Sequence, residues 1–233
     1  MRDQRPPAQI PLDLTSGPGL SRDELVVTGA NAAATALIDR WPDWPTPVVV
    51  LAGPAGAGKS HLAAIWSEAA QARSAGPGRI DPDIVSFAAS GGAVLIDGVE
   101  GDVDETGLFH LINAAREGGG HVLLTSRRFP AAWGVRLPDL ASRLKAATIV
   151  EIEEPDDLLL SAVVTKLFAD RQVQVEPHVV TYIVNRIERS LSTAMDMVER
   201  LDQAALSRKT RITRALAAEI VGAADTGQES LEL

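Results

Sequence analysis

The sequence predicts an α/β protein with a parallel sheet flanked by helices, followed by a small all-helical domain. Three observations carry this expectation. Three short apolar runs, Val48–Leu51, Ala93–Ile96 and Val122–Leu124, are each bounded by turn residues. Continuous runs of this kind suit strands buried on both faces, as in a parallel sheet. Helical stretches from Ser60 to about Arg73 and from Glu105 to about Glu117 separate the runs, giving a strand–helix–strand–helix order. After Pro155 the apolar residues fall at helical spacing throughout, over 156–172, 176–189, 192–209 and 212–222, and no strand is needed.

Taken in chain order, residues 1–20 carry Pro6, Pro7, Pro11, Gly17, Pro18 and Gly19 and show no helical periodicity, so they read as an extended tail. The alanine-rich stretch after Asn31 reads as a helix with Asn31 at its N-cap. Pro42, Pro45 and Pro47 then break it, because each removes a backbone donor and restricts the residue before it. The strands and helices of the core follow. In the C-terminal part, Asp156, Pro177, Ser192 and Thr213 stand near helix starts. The expected organisation is a tail over 1–20, an α/β core over 21–154, a helical domain over 155–224 and a frayed end over 225–233.

Composition narrows the function. The 233 residues include 22 Lys+Arg against 31 Asp+Glu, a formal net charge of −9, and no cysteine. Disulfide scaffolds, zinc ribbons and thiol nucleophiles are excluded. Residues 1–150 hold 13 basic and 16 acidic groups, and residues 151–233 hold 9 and 15, so neither part resembles a nucleic-acid module with its basic face. No apolar run reaches the roughly 18 residues of a membrane span, and the N-terminus is no secretory signal. A cytoplasmic protein without membrane contact or sequence-specific DNA binding is the expectation.

The strongest local signal is Gly53-Pro54-Ala55-Gly56-Ala57-Gly58-Lys59-Ser60, which fits G-x-x-x-x-G-K-[ST] between a strand and a helix. In such a loop the glycines let backbone N–H groups converge on phosphates at a helix N-terminus. Lys59 is placed to neutralise the β and γ phosphates, and the Ser60 hydroxyl to hold Mg²⁺, with His61 following on the same helix. The run ending Ile96-Asp97 sets a carboxylate where it would meet that magnesium. A hydrolytic site needs a second acid beside Asp97 to orient water, and Gly98 stands there instead. Binding of a nucleotide with Mg²⁺ is therefore expected, with weak or no nucleotide hydrolysis of its own. The third strand ends in Thr125-Ser126, and Ser126 is expected to place a hydroxyl near the γ-phosphate. His61, His110, His121 and His178 have no metal-ligand spacing.

A P-loop core followed by a compact helical lid resembles the AAA+ superfamily. The segment from Leu137 to Leu144 resembles the arginine-finger segment of the DnaA-related branch, Hda included, and residues 197–204 are similar to a lid helix of the same family. The resemblance covers roughly residues 20–222. It implies an AAA+ fold with an all-helical lid, and it makes Arg143 an arginine finger acting in trans on ATP held by the initiator DnaA. It also implies that Lys59 and Ser60 bind ADP or ATP and Mg²⁺, that Asp97 supports the metal, that Ser126 is a sensor-like catalytic hydroxyl, and that Val27 and Asn31 line the adenine side. The tail segment Gln9-Ile10-Pro11-Leu12-Asp13-Leu14 fits the Q-x-x-L-x-L type of clamp-binding peptide. Gln9, Ile10, Leu12 and Leu14 are then expected to dock on the sliding clamp, the β subunit of DNA polymerase III.

The implied function is regulation of replication initiation: stimulated hydrolysis of DnaA-bound ATP, which prevents over-initiation. A homo-oligomer is compatible with it. The alternative is a helicase-loader-type AAA+ adaptor on single-stranded DNA, against which the acidity counts. One departure from the family is plain: the lid's sensor arginine falls on Ser192, with Arg189 one turn earlier as the candidate replacement.

Overall fold

A computed structural model of the chain describes residues 21–229, with side chains through Ala223. After a 3₁₀ turn at Arg22–Glu24 come α1 (Ala32–Asp39), β1 (Val48–Ala52), α2 (Lys59–Ala70), β2 (Arg73–Ala75), α3 (Pro82–Ala89) and β3 (Ala93–Ile96). They are followed by α4 (Glu105–Gly118), β4 (His121–Ser126), α5 (Pro138–Lys145) and β5 (Thr148–Glu151). The remaining described elements are helices: α6 (Asp157–Asp170), α7 (Pro177–Val184), α8 (Leu191–Arg208) and α9 (Arg214–Glu229).

The five strands form one parallel sheet in the order β2-β3-β4-β1-β5. Strand pleat divides its residues between two cores. Val49, Leu51, Leu95 and Leu123 pack with Leu62, Ile65 and Trp66 of α2 and Ile38 of α1. Val48, Val50, Val94, Ile96, Val122 and Leu124 pack on the other face with Leu108, Leu111 and Ile112 of α4 and Leu140 and Leu144 of α5. The strands expected from their apolar runs are the ones buried on both faces, and β1 is buried along its whole length.

The expected helix from Ser60 to Arg73 is shorter at its C-terminus. It ends at Ala70, Gln71 takes φ +49°, and Arg73 begins β2. Elements without a long apolar run carry no sequence signal: β2 is a three-residue polar edge, and β5 is an edge strand alternating half-buried and exposed residues. The short helices α3 and α5 each open with proline at their first helical position, where no N–H is needed.

Helices α6–α9 close over their own core, in which Leu160, Val164, Phe168, Ile183, Val198, Leu201 and Ala217 are almost wholly buried. Asp156 caps α6 by accepting from Leu159 N at 2.6 Å. Helix α8 starts at Leu191 rather than Ser192, because Ser190 is its N-cap and accepts from Thr193 N. No described helix is long and apolar enough to cross a membrane.

Candidate nucleotide site and the arginine-bearing helix

The P-loop residues 53–60 join β1 to α2 at the carboxyl end of the parallel strands, where open α/β sheets bind ligands. Gly56 has φ +67° and lies against Ser190, so closely that any side chain would collide with the Ser190 hydroxyl and Cβ. Leu191 N donates to Gly56 O at 2.8 Å. The first turn of α8 is thus seated directly on the phosphate-binding loop. Lys59 Nζ donates to Gly53 O (2.7 Å) and Pro54 O (2.6 Å), which curls the loop around the ammonium. Burial holds the Lys59 ammonium below the usual lysine range, and the charge of Arg127 pushes the same way against Glu100 and Asp97.

Asp97 follows β3, and Ser60 Oγ donates to its carboxylate at 3.2 and 3.4 Å. Two oxygen donors on adjacent elements, one of them an exposed carboxylate, suit a hard divalent cation such as Mg²⁺. Among the described residues no cluster of three His, Cys, Asp or Glu forms a separate metal site.

The hydroxyl that faces Asp97 is that of Thr125, not that of Ser126. Thr125 Oγ1 donates to Asp97 Oδ1 at 2.5 Å and accepts from Gly98 N at 2.8 Å. Ser126 is fully buried on the other face: its Oγ donates to Val99 O (2.9 Å) and accepts from Trp133 Nε1 (2.9 Å) and Arg128 N (3.2 Å). The pleat is the reason, since Leu123 and Thr125 share the α2 face while Leu124 and Ser126 share the α4 face.

Gly98 has φ +75°, a conformation that favours glycine, so an acid is missing beside Asp97 for a backbone reason also. Glu100 does not fill the place. Its carboxylate accepts from Arg127 N at 2.9 Å and pairs with the Arg127 guanidinium at 3.4 Å.

The adenine-side expectation is altered for Asn31. Its Oδ1 accepts from Thr28 N (2.9 Å) and its Nδ2 donates to Val26 O (2.8 Å), so the amide shapes the 26–31 segment and is not free for a base. That segment is tied to the core by Glu153 N donating to Ala30 O, and it leaves Val27 46% exposed. His61 Nε2 lies 3.2 Å from Ser21 O, at the base of the same segment. Arg189 pairs with Asp157 at 2.9 Å, and Ser192 Oγ shares a 2.7 Å hydrogen bond with Ser190 Oγ. Gln9, Ile10, Leu12 and Leu14 lie outside the described residues.

Arg143 sits on α5 between Leu140 and Leu144, both almost wholly buried. Burying each leucine contributes about 1.5–3 kcal/mol, so the helix is firmly seated. Among the described residues the Arg143 guanidinium makes no hydrogen bond or ion pair. It is a cation on a packed helix, without a partner among the described residues.

A P-loop, a carboxylate and hydroxyl at the ends of the neighbouring strands, and a helical unit seated on the loop are arranged as in the AAA+ fold. More narrowly, residues 162–220 match the family model described as Hda, lid domain. The fold is similar to that of domain III of the Thermotoga maritima replication initiation protein DnaA, with TM-score 0.73 and 17% identity, over 88% of this chain and 96% of that one. It is also similar to the Thermotoga maritima Holliday junction branch migration motor RuvB, with TM-score 0.69 and 18% identity, over 88% and 72%. A replication initiator DnaA bound to AMPPCP and single-stranded DNA superposes with TM-score 0.68 and 16% identity, over 83% and 68%. A curated Haemophilus influenzae relative, named only as an uncharacterized protein, is 28% identical over 110 residues. That match spans about half of each chain, 47% of this one and 48% of the relative.

Proposed function

We propose that this chain is a regulator of replication initiation that binds ADP or ATP and stimulates hydrolysis of ATP held by DnaA. The observation that carries the reading is Arg143, whose guanidinium has no partner among the described residues and sits on a helix packed through Leu140 and Leu144. The same chain carries a nucleotide site with phosphate and metal donors but no acid next to Asp97. Such a chain holds nucleotide without consuming it quickly, and what it offers in catalysis is a cation for another site.

In its own site the P-loop amides and Lys59 hold the phosphates, and the Ser60 and Asp97 oxygens hold Mg²⁺, with Thr125 fixing the carboxylate. Bound Mg²⁺ supplies charge neutralisation across the phosphate oxygens. The lid, seated through Ser190 and Leu191 on Gly56, responds to loop occupancy without an arginine at position 192. In trans, Arg143 meets the γ-phosphoryl group of DnaA-bound ATP as water attacks phosphorus and the bond to the β-phosphate oxygen breaks. A guanidinium suits this, being always charged and spreading its donors over several oxygens. Segment Gln9–Leu14 docks on the sliding clamp and so brings a chain of net charge −9 to DNA. The Hda lid-domain match and the AAA+ fold support the reading.

The test is hydrolysis of DnaA-bound ATP in the presence of clamp and primed DNA. The parent chain stimulates it and Arg143→Ala loses about 10³-fold of the stimulation, the low end of what a finger supplies. Equal stimulation by both overturns the reading. Clamp capture with Gln9, Leu12 and Leu14 changed to Ala tests the tail; undiminished capture removes it from the proposal.

A further inference from the structure

Helix α5 begins without a cap from its own segment. Leu137, its N-cap residue, provides no side-chain acceptor, and Pro138 at the first helical position has no N–H. The acceptor comes from another helix. Both carboxylate oxygens of Glu105 accept from Arg136 N at 3.0 Å, and Oε2 also accepts from Leu137 N at 2.6 Å. These backbone bonds hold the Glu105 carboxyl below the usual carboxylate range. A negative charge also suits this position, at the positive end of the helix dipole.

The guanidinium of Arg136 contributes little, being 3.8 Å away and 93% exposed. Glu105 itself is the first residue of α4, and its neighbour Asp104 fixes that end of α4. Asp104 Oδ1 accepts from Gly107 N at 2.9 Å, and Oδ2 accepts from Ile80 N at 3.1 Å. The start of α4 is therefore a fixed point, and Glu105 transmits that position to the entry of the arginine-bearing helix. Leu140 and Leu144 hold one stripe of α5 against the core, and the Glu105 bonds add a polar anchor at the entry to its first turn.

We infer that Glu105 is a positioning residue for Arg143: through the backbone amides of Arg136 and Leu137 it sets the axial position of α5 and so where the guanidinium is presented. The inference rests on the proposed role of Arg143 in trans. A shift of about 1 Å in a catalytic group costs up to about 10²-fold in rate. Loss of the Glu105 tether is expected to lower the maximal stimulated rate by ten- to a hundredfold and to leave the half-saturating concentration of this chain within twofold.

Two measurements test it. The first compares the stimulated hydrolysis of DnaA-bound ATP by the parent, Glu105→Ala, Glu105→Gln, Arg136→Ala and Arg143→Ala, each shown to bind ADP and to melt as a folded chain. Glu105→Ala should lose maximal rate, Glu105→Gln, which keeps one acceptor oxygen, should lose less, and Arg136→Ala should match the parent. The second reads the helix without the reaction. The chain has no cysteine, so Arg143→Cys takes a single spin label. Adding Glu105→Ala should make that label more mobile and leave a control label at Arg200→Cys on α8 unchanged.

A parent-like rate or an unchanged label spectrum in Glu105→Ala overturns the inference, as does a loss in Arg136→Ala equal to that in Glu105→Ala. If Arg143→Ala stimulates like the parent, the finger reading fails and takes the functional claim with it. The label experiment then shows separately whether Glu105 holds α5.

Discussion

Replacing Thr125 by valine removes one hydroxyl at nearly constant volume and separates the two hydroxyls of β4 by function. Thr125 Oγ1 makes two bonds, donating to Asp97 and accepting from Gly98 N. A hydrogen bond to a charged group contributes about 1.5–3 kcal/mol, and a buried donor left without a partner costs about 1–3 kcal/mol. Asp97 and Gly98 are both exposed, so water replaces part of what each loses. The net cost should be about 1 kcal/mol of stability, a fall of about 2–4 °C in Tm for a chain of this size. The released carboxylate also meets Mg²⁺ less well, and a loss of about 1.4 kcal/mol there is a tenfold weaker Mg²⁺-dependent affinity. Ser126→Ala removes a hydroxyl with three partners on the opposite face. It should cost as much stability or more and leave nucleotide affinity unchanged. Calorimetric titration with ADP, with and without Mg²⁺, and thermal melts of both variants check this. A larger loss of Mg²⁺-dependent affinity in Ser126→Ala than in Thr125→Val refutes the assignment of the two faces.

Three further outcomes follow from the same geometry. Gly56→Ala should weaken nucleotide binding and destabilise the lid, because the added Cβ meets Ser190 and the φ of +67° costs about 1–2 kcal/mol for a residue with a side chain; Ser190→Gly should relieve only part of this, read by ADP affinity. Lys59→Ala should abolish nucleotide binding at concentrations that saturate the parent, measured with a fluorescent ADP. His121 sits edge-on to Trp41 and Trp44, and burial lowers its pKa from 6.5 despite its bond to the Pro42 carbonyl. Below pH 6.5 the unfolded chain therefore binds a proton that the folded chain resists. Stability should fall as pH drops from 6.5 through the folded value and then level off, and His121→Phe should flatten that part of the denaturation profile.

Much of the architecture was legible because it is written in contiguous residues. The strands β1, β3 and β4 announce themselves by runs that only two-sided burial explains, and the lid helices by their spacing. β2 and β5 were not legible, since one is a polar three-residue edge and the other a four-residue edge strand too short to show a pattern. α3 and α5 are too short to show a period, although the proline at each start was a usable signal. At the site, the P-loop and Asp97 stood out by spacing, but Asn31 looked available when both ends of its amide are used locally.

The sequence by itself determined that a phosphate-binding loop joins a buried strand to a helix, that an aspartate ends a neighbouring strand with glycine after it, and that a helical unit follows. Each is a local pattern that fixes backbone type and chemistry together. Only the tertiary structure decided that Thr125 rather than Ser126 faces Asp97, that Ser190 rests on Gly56, and that Glu105 caps the helix of Arg143 across 32 residues. Those choices depend on the parity of a strand's pleat and on which helix ends packing brings together, and neither is encoded in the identity of adjacent residues.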